Sequence, residues 1–150
     1  MKKSVIILIA IIYVASIALV SFFGLKYKVF EEVIPVESVE ILDDLDPGNE
    51  NLGCDYIKYI DLDENKVARY QIKYRVHPDN ATNQDVDFIL TPVNSGDPNI
   101  HASVDENGVV TIDLSESSSV AGGVIVSVIA RDATGENSEI SILILAKPKG

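Results

Sequence analysis

Cysteine is nearly absent: Cys54 stands alone among 150 residues. One thiol excludes an intramolecular disulfide and any thiolate metal cluster built from this chain alone, so a folded domain must rely on its apolar core. Cys54 has Asp55 beside it and no neighbouring base, which reads as an inert, unpaired thiol rather than an activated nucleophile. Basic residues are scarce too. Four of the twelve Lys and Arg (Lys2, Lys3, Lys26, Lys28) flank one hydrophobic run, so residues 29–150 carry 8 bases against 23 acids, a net of −15. Such a surface repels phosphate backbones and argues against nucleic acid as a partner.

The hydrophobic run, residues 4–25 (SVIILIAIIYVASIALVSFFGL), contains no charge. At 1.5 Å per residue it spans about 33 Å, enough for a hydrocarbon core of about 30 Å. Tyr13, Ser16 and Ser21 are too few to form the polar face of a core helix. A cleaved signal peptide also starts with a basic region, but its apolar stretch is normally about 7–15 residues. Leu19 to Phe23 continue the run past the weak small-residue site Ser16-Ile17-Ala18. The expectation is an uncleaved anchor that meets the lipid bilayer through residues 4–25. Lys26 and Lys28 balance Lys2 and Lys3, so the positive-inside rule sets the orientation weakly. Signal-anchor architecture then favours a C-terminal domain outside the cell.

After a stalk ending at Pro35 the period changes to two. Ala68, Tyr70, Ile72, Tyr74 and Val76 alternate with Arg69, Gln71, Lys73 and Arg75, the pattern of a strand with one wet face. Further strands are expected at 36–42, 56–62, 86–90, 100–104, 109–114, 124–130 and 140–145. Eight short strands with no long amphipathic helix between them predict an all-β, antiparallel sandwich or barrel. Asp105-Glu106-Asn107-Gly108 contains an Asn-Gly pair suited to a hairpin, and residues 132–137 read as the turn of the last one. VIVSVIA (124–130) and ISILILA (140–146) are nearly continuous in apolar residues, so they belong in the centre of a sheet or under cover on both faces. Pro78, Asp79 and Asn80 end one strand and turn the chain towards the next.

YQIKYRVHPDNATNQDVDF resembles the signature of the bacterial immunoglobulin-like domain, group 2: an alternating strand, a proline, an Asn-Ala-Thr turn and a strand bearing an aromatic, here Phe88 where the family commonly has Trp. ASVDENGVVTI and GGVIVSVIARDATG are similar to the hairpin and glycine-led strand that follow in that family. LDDLDPGNENLGCD, residues 42–55, is extra material. The resemblance implies an immunoglobulin-like antiparallel β-sandwich, used at cell surfaces for adhesion, for protein or carbohydrate binding, or as a spacer, with no catalytic residues to carry over. The expected organisation is a membrane anchor over 1–28, a stalk over 29–35 and the sandwich over 36–147.

No candidate chemistry stands out. His77 and His101 adjoin strands at positions where polar side chains face solvent, and no His-x-Glu-x-x-His spacing or Gly-x-Ser-x-Gly elbow exists. Asp43, Asp44, Asp46, Asn49 and Glu50 in one loop, and Asp61, Asp63 and Glu64 in another, offer the hard oxygen ligands calcium takes. Their spacing departs from the EF-hand pattern, so a solvated acidic loop is the default, with Asp43, Asp44, Asp46 and Glu50 as the calcium candidates and no other cofactor expected. Asn80-Ala81-Thr82 is formally a glycosylation sequon but is accounted for by the turn. The functional expectation is a single-pass, non-enzymatic module of the cell membrane that binds a surface protein or glycan. The alternative is a non-binding spacer, or an accessory subunit of a membrane complex held through its helix.

Overall fold

A charge-free stretch of apolar side chains satisfies its backbone polar groups best as a helix, and α1 runs over Lys3–Lys26. The computed structural model describes residues 3–26, 32–93 and 96–150. Lys2, Lys28 and stalk residues 29–31 lie outside that description, as do the side chains of residues 25, 49, 50 and 133–137. Lys3–Gly24 has a mean hydropathy of 2.9, so this helix is long and apolar enough to cross a membrane. The Ser16 hydroxyl donates to the Ile12 carbonyl at 2.8 Å, which satisfies a polar group within the helix itself. The chain divides into two compact units, Met1–Val33 and Ile34–Gly150.

The second unit is built of strands: β1 Val36–Ile41, β2 Asp46–Asn49, β3 Cys54–Leu62, β4 Val67–Gln71, β5 Tyr74–His77, β6 Val86–Pro92, β7 His101–Val104, β8 Val109–Asp113, β9 Gly122–Ala130, β10 Ala133–Asn137 and β11 Glu139–Pro148. One five-stranded sheet has the order β2-β3-β11-β9-β6. Two three-stranded sheets, β4-β8-β7 and β10-β1-β5, make up the rest. They are linked by chain continuity: the alternation of the Ala68 to Val76 segment persists, but the strand breaks at Ile72 and Lys73 and changes partner from β8 to β1. Taking β1 as the first strand and β4 with β5 as the second, β8 and β7 follow on one side, and β6, β9 and β11 form the other. This is the ABED and CFG arrangement of an immunoglobulin-like β-sandwich.

One core joins both layers. Val124, Val126, Val128 and Ala130 of β9 and Ile142, Ile144 and Ala146 of β11 meet Ala68, Ile72, Val76, Val110, Ile112 and Leu114 from the other side. As expected, β9 and β11 are central in their sheet. Phe88 packs on this core with its ring edge-on to Tyr74, centroids 5.7 Å apart. After His77, the Pro78 carbonyl accepts from Ala81 N–H, and Thr82 is bound twice to Ile34, through its own N–H and its hydroxyl, each at 2.8 Å. The Asn80-Ala81-Thr82 turn therefore ties down the point where the chain enters the sandwich.

Three expectations differ from the structure. Eleven strands are present among the described residues rather than eight, and two pairings, β3 with β11 and β1 with β10, are parallel. Residues 133–137 form a strand against β1 rather than a simple turn. The extra segment 42–55 folds back through β2 and a 3₁₀ turn (Glu50–Leu52) to extend the edge of the sheet.

The β7–β8 hairpin forms at the Asn107-Gly108 pair as expected. Only Gly108 has positive φ (76°), and Asp105 caps the loop by accepting from Asn107 and Val109 N–H at 2.9 and 2.8 Å. Asp63-Glu64-Asn65-Lys66-Val67 builds the same loop, with Asp63 accepting from Asn65 and Val67 and with Lys66 at φ 59°. Lys66 sits where the other loop has glycine, in a conformation costing an L-residue roughly 1–2 kcal/mol. Glycine adds about 0.4–1 kcal/mol of unfolded-chain freedom. Lys66→Gly is therefore expected to stabilise by up to about 1 kcal/mol in a denaturant titration, less whatever the Lys66 Nζ bond to the Ser117 carbonyl (3.1 Å) contributes.

Candidate functional site

Strict alternation puts half of each strand's side chains outside, and in a sandwich those outer positions are normally polar. On β3, β11, β9 and β6 many are not. Leu143 is paired with Ile57 and Ile125 on its two sides, Leu145 with Tyr59 and Gly123, Ser127 with Ile89, and Asp87 with Ile129. All lie on the face opposite the core. Tyr59 and Ile89 are 48% and 51% exposed, while Leu143 is closed over by its neighbours. A Cβ added at Gly123 would stand 2.7 Å from Leu145 Cδ2, so Leu145 lies flat across the glycine. The result is an apolar strip on the solvent side of the sheet, crossed by the paired Ser127 and Ser141, which separate Leu143 and Ile125 from Ile129.

Carboxylates border the strip. Asp46 of β2 is in register with Ile57, and Asp55 and Asp61 share the outer face of β3. Asp55 accepts from the Ser141 N–H (2.8 Å) and hydroxyl (2.9 Å). Asp87 and Glu139 close the other end. Among the described residues Lys147 and Arg131 stand beside them: Lys147 is in register with Asp61 and its Nζ lies 5.1 Å from the Tyr59 ring centroid, and Arg131 donates to Asp87 at 2.7–2.8 Å with Asp85 at 3.7 Å. The hydrogen bond to Asp87 holds the Arg131 guanidinium more firmly protonated than usual.

The calcium candidates are dispersed. Asp43 accepts from the Tyr70 hydroxyl and lies 3.6 Å from Lys73 Nζ. Burial, then this hydrogen bond, keeps Tyr70 protonated well above its usual range. Asp44 offers its backbone carbonyl to Lys58, Asp46 belongs to the rim of the strip, and the Glu50 side chain is outside the described residues. Among the described residues no three His, Cys, Asp or Glu form a group that could hold a metal ion. Millimolar calcium is expected to leave the melting temperature unchanged; a rise of several degrees would show a site.

His77 pairs with Glu40 at 2.8 Å across β1 and β5, and His101 is exposed on β7. Cys54 is a free, buried thiol. A cleft of about 530 Å³ opens beside Tyr74 and Phe88, bordered by Asp85, Asp105, Glu106 and Arg131.

Elsewhere, Ser117 is the buried polar side chain of the described residues, and its hydroxyl and that of Ser119 both donate to Asp97. The Ser117 bond holds the Asp97 carboxyl below the usual range. A depressed folded-state value contributes stability that is present above the unfolded value of about 3.9 and is lost as pH falls through the folded one. Ser117→Ala should therefore flatten the acid limb of a stability–pH profile below about pH 4. An unchanged limb would remove Asp97 from the account.

No family model matches the chain, and no curated protein matches it. Among solved structures it is similar to the "I-band fragment I67-I69 from titin", with a TM-score of 0.35 and 14% identity, over 74% of this chain and 33% of that one. The chain thus spans about a third of that fragment. A likeness of this size carries no argument, and the immunoglobulin-like assignment rests on the strand order. The resemblance to bacterial group 2 extends here to that architecture alone.

Proposed function

We propose that the chain is a membrane-tethered, immunoglobulin-like interaction module, displayed outside the cell, that binds a protein through the outer face of the β3-β11-β9-β6 sheet. The apolar strip carries this reading: a surface of that kind, rimmed by polar groups, marks an interaction site in a soluble domain. The uncharged helix supports the tether. Membership of the bacterial group 2 family is part of the same proposal, supported by the alternating strand, the Asn80-Ala81-Thr82 turn and Phe88. The test is co-purification after crosslinking on intact cells, comparing the natural chain with Ile89→Asp and Ile129→Asp. Loss of a specific partner with an unchanged melting temperature is expected; the same recovery from both variants would refute the assignment of this face.

A further inference from the structure

We infer that the partner seated on this face presents an apolar centre ringed by lysine and arginine. The inference rests on the reading of the strip as a docking surface and adds the chemistry of its occupant. Five carboxylates, Asp46, Asp55, Asp61, Asp87 and Glu139, stand around the strip against two cations, Lys147 in register with Asp61 and Arg131 paired with Asp87 and Asp85. The rim is therefore negative, within a segment whose net charge is −15 over residues 29–150. A second copy of this chain would stack the same carboxylates against one another around a shared apolar centre, a like-charge juxtaposition that disfavours pairing. An anionic lipid surface or acidic polysaccharide meets the same repulsion. A basic-rimmed protein surface covers the apolar strip and compensates the rim, and its approach is accelerated by the field of the segment.

The experiment uses the full-length chain in its native membrane with the photo-crosslinker p-benzoylphenylalanine in place of Tyr59, and identifies adducts by mass spectrometry. The expected adducts are segments of another protein in which Lys or Arg flanks the apolar contact. Their yield should fall about fivefold or more at about 0.5 M salt, and likewise in the triple variant Asp61→Asn, Asp87→Asn, Glu139→Gln, because rim charges act mainly on association and are screened. The salt series needs no variant, so it stands even if the triple variant folds poorly. Adducts to a second copy, to lipid or to an acidic segment would overturn the inference. A protein adduct indifferent to salt and rim charge would overturn the basic partner while leaving the docking face intact. No protein adduct at all would remove both.

Discussion

Replacing Ile144 with alanine is expected to cost the domain about 2–5 kcal/mol, on the order of 10–20 °C in melting temperature for a unit of this size. Ile144 is 0% exposed, sits on the central strand β11 between Val124 of β9 and Lys58 of β3, and belongs to the core shared by both layers. Truncation removes the transfer free energy of its lost methylenes and leaves a cavity that close-packed neighbours fill only in part. Against a total stability of about 5–15 kcal/mol, such a loss is a large fraction. The informative contrast lies on the other face of the sheet. Ile89→Ser removes as apolar a side chain, but one already 51% exposed, and should change stability by about 0.5–1 kcal/mol at most. Denaturant titration of both variants checks the pair. Equal losses would mean that the outer strip is needed for folding, which would weaken the case that it exists for binding.

Gly108→Ala is expected to have an effect of similar size from a different cause. Gly108 holds φ 76°, where an L-residue incurs roughly 1–2 kcal/mol. The new Cβ would also lie 2.7 Å from Phe88 Cζ and 3.0 Å from Cε1, and that ring is packed edge-on against Tyr74. Moving it disturbs the core where β6 meets the β7–β8 hairpin, and overpacking of this kind costs about 1–3 kcal/mol. Less the about 0.4–1 kcal/mol that alanine saves in the unfolded chain, a combined loss of about 1–4.5 kcal/mol should appear as an earlier midpoint with an unchanged denaturant slope. A loss under about 0.5 kcal/mol would show that the loop relaxes freely and that Phe88 is not held by it.

Much of this architecture is legible in the sequence because it is local. The alternation from Ala68 to Val76 specifies which residues face inward, and the unbroken apolarity of 124–130 and 140–146 places both segments at the centre of a sheet. Those two runs also carry the candidate site: a strand that keeps Ile125, Ile129, Leu143 and Leu145 at outer positions calls for cover on its second face. What was not legible depends on partners far away in the chain. Asp46-Pro47-Gly48-Asn49 has no strand signature, yet it becomes β2 because β3 offers a free edge. Gly48 permits the approach, since a Cβ there would come within 2.1 Å of the Cys54 carbonyl oxygen. The parallel pairing of β3 with β11 joins residues 86 positions apart, beyond the reach of any periodicity. In the acidic loops Asp43 accepts from Tyr70 and Asp46 borders the strip, roles that composition alone does not distinguish from metal ligation.

The claim at the centre of this account is that an apolar sheet face, open in the isolated chain, is occupied on the cell surface. It is tested most directly by labelling single cysteines with a membrane-impermeant maleimide, in a Cys54→Ser background, on the purified full-length chain and on intact cells. Ile89→Cys should react quickly when purified and slowly on cells, while Ser118→Cys, on an exposed loop, should react quickly in both settings. Equal rates for Ile89→Cys in the two settings would contradict an occupied face, and failure of Ser118→Cys to react on intact cells would contradict its display outside.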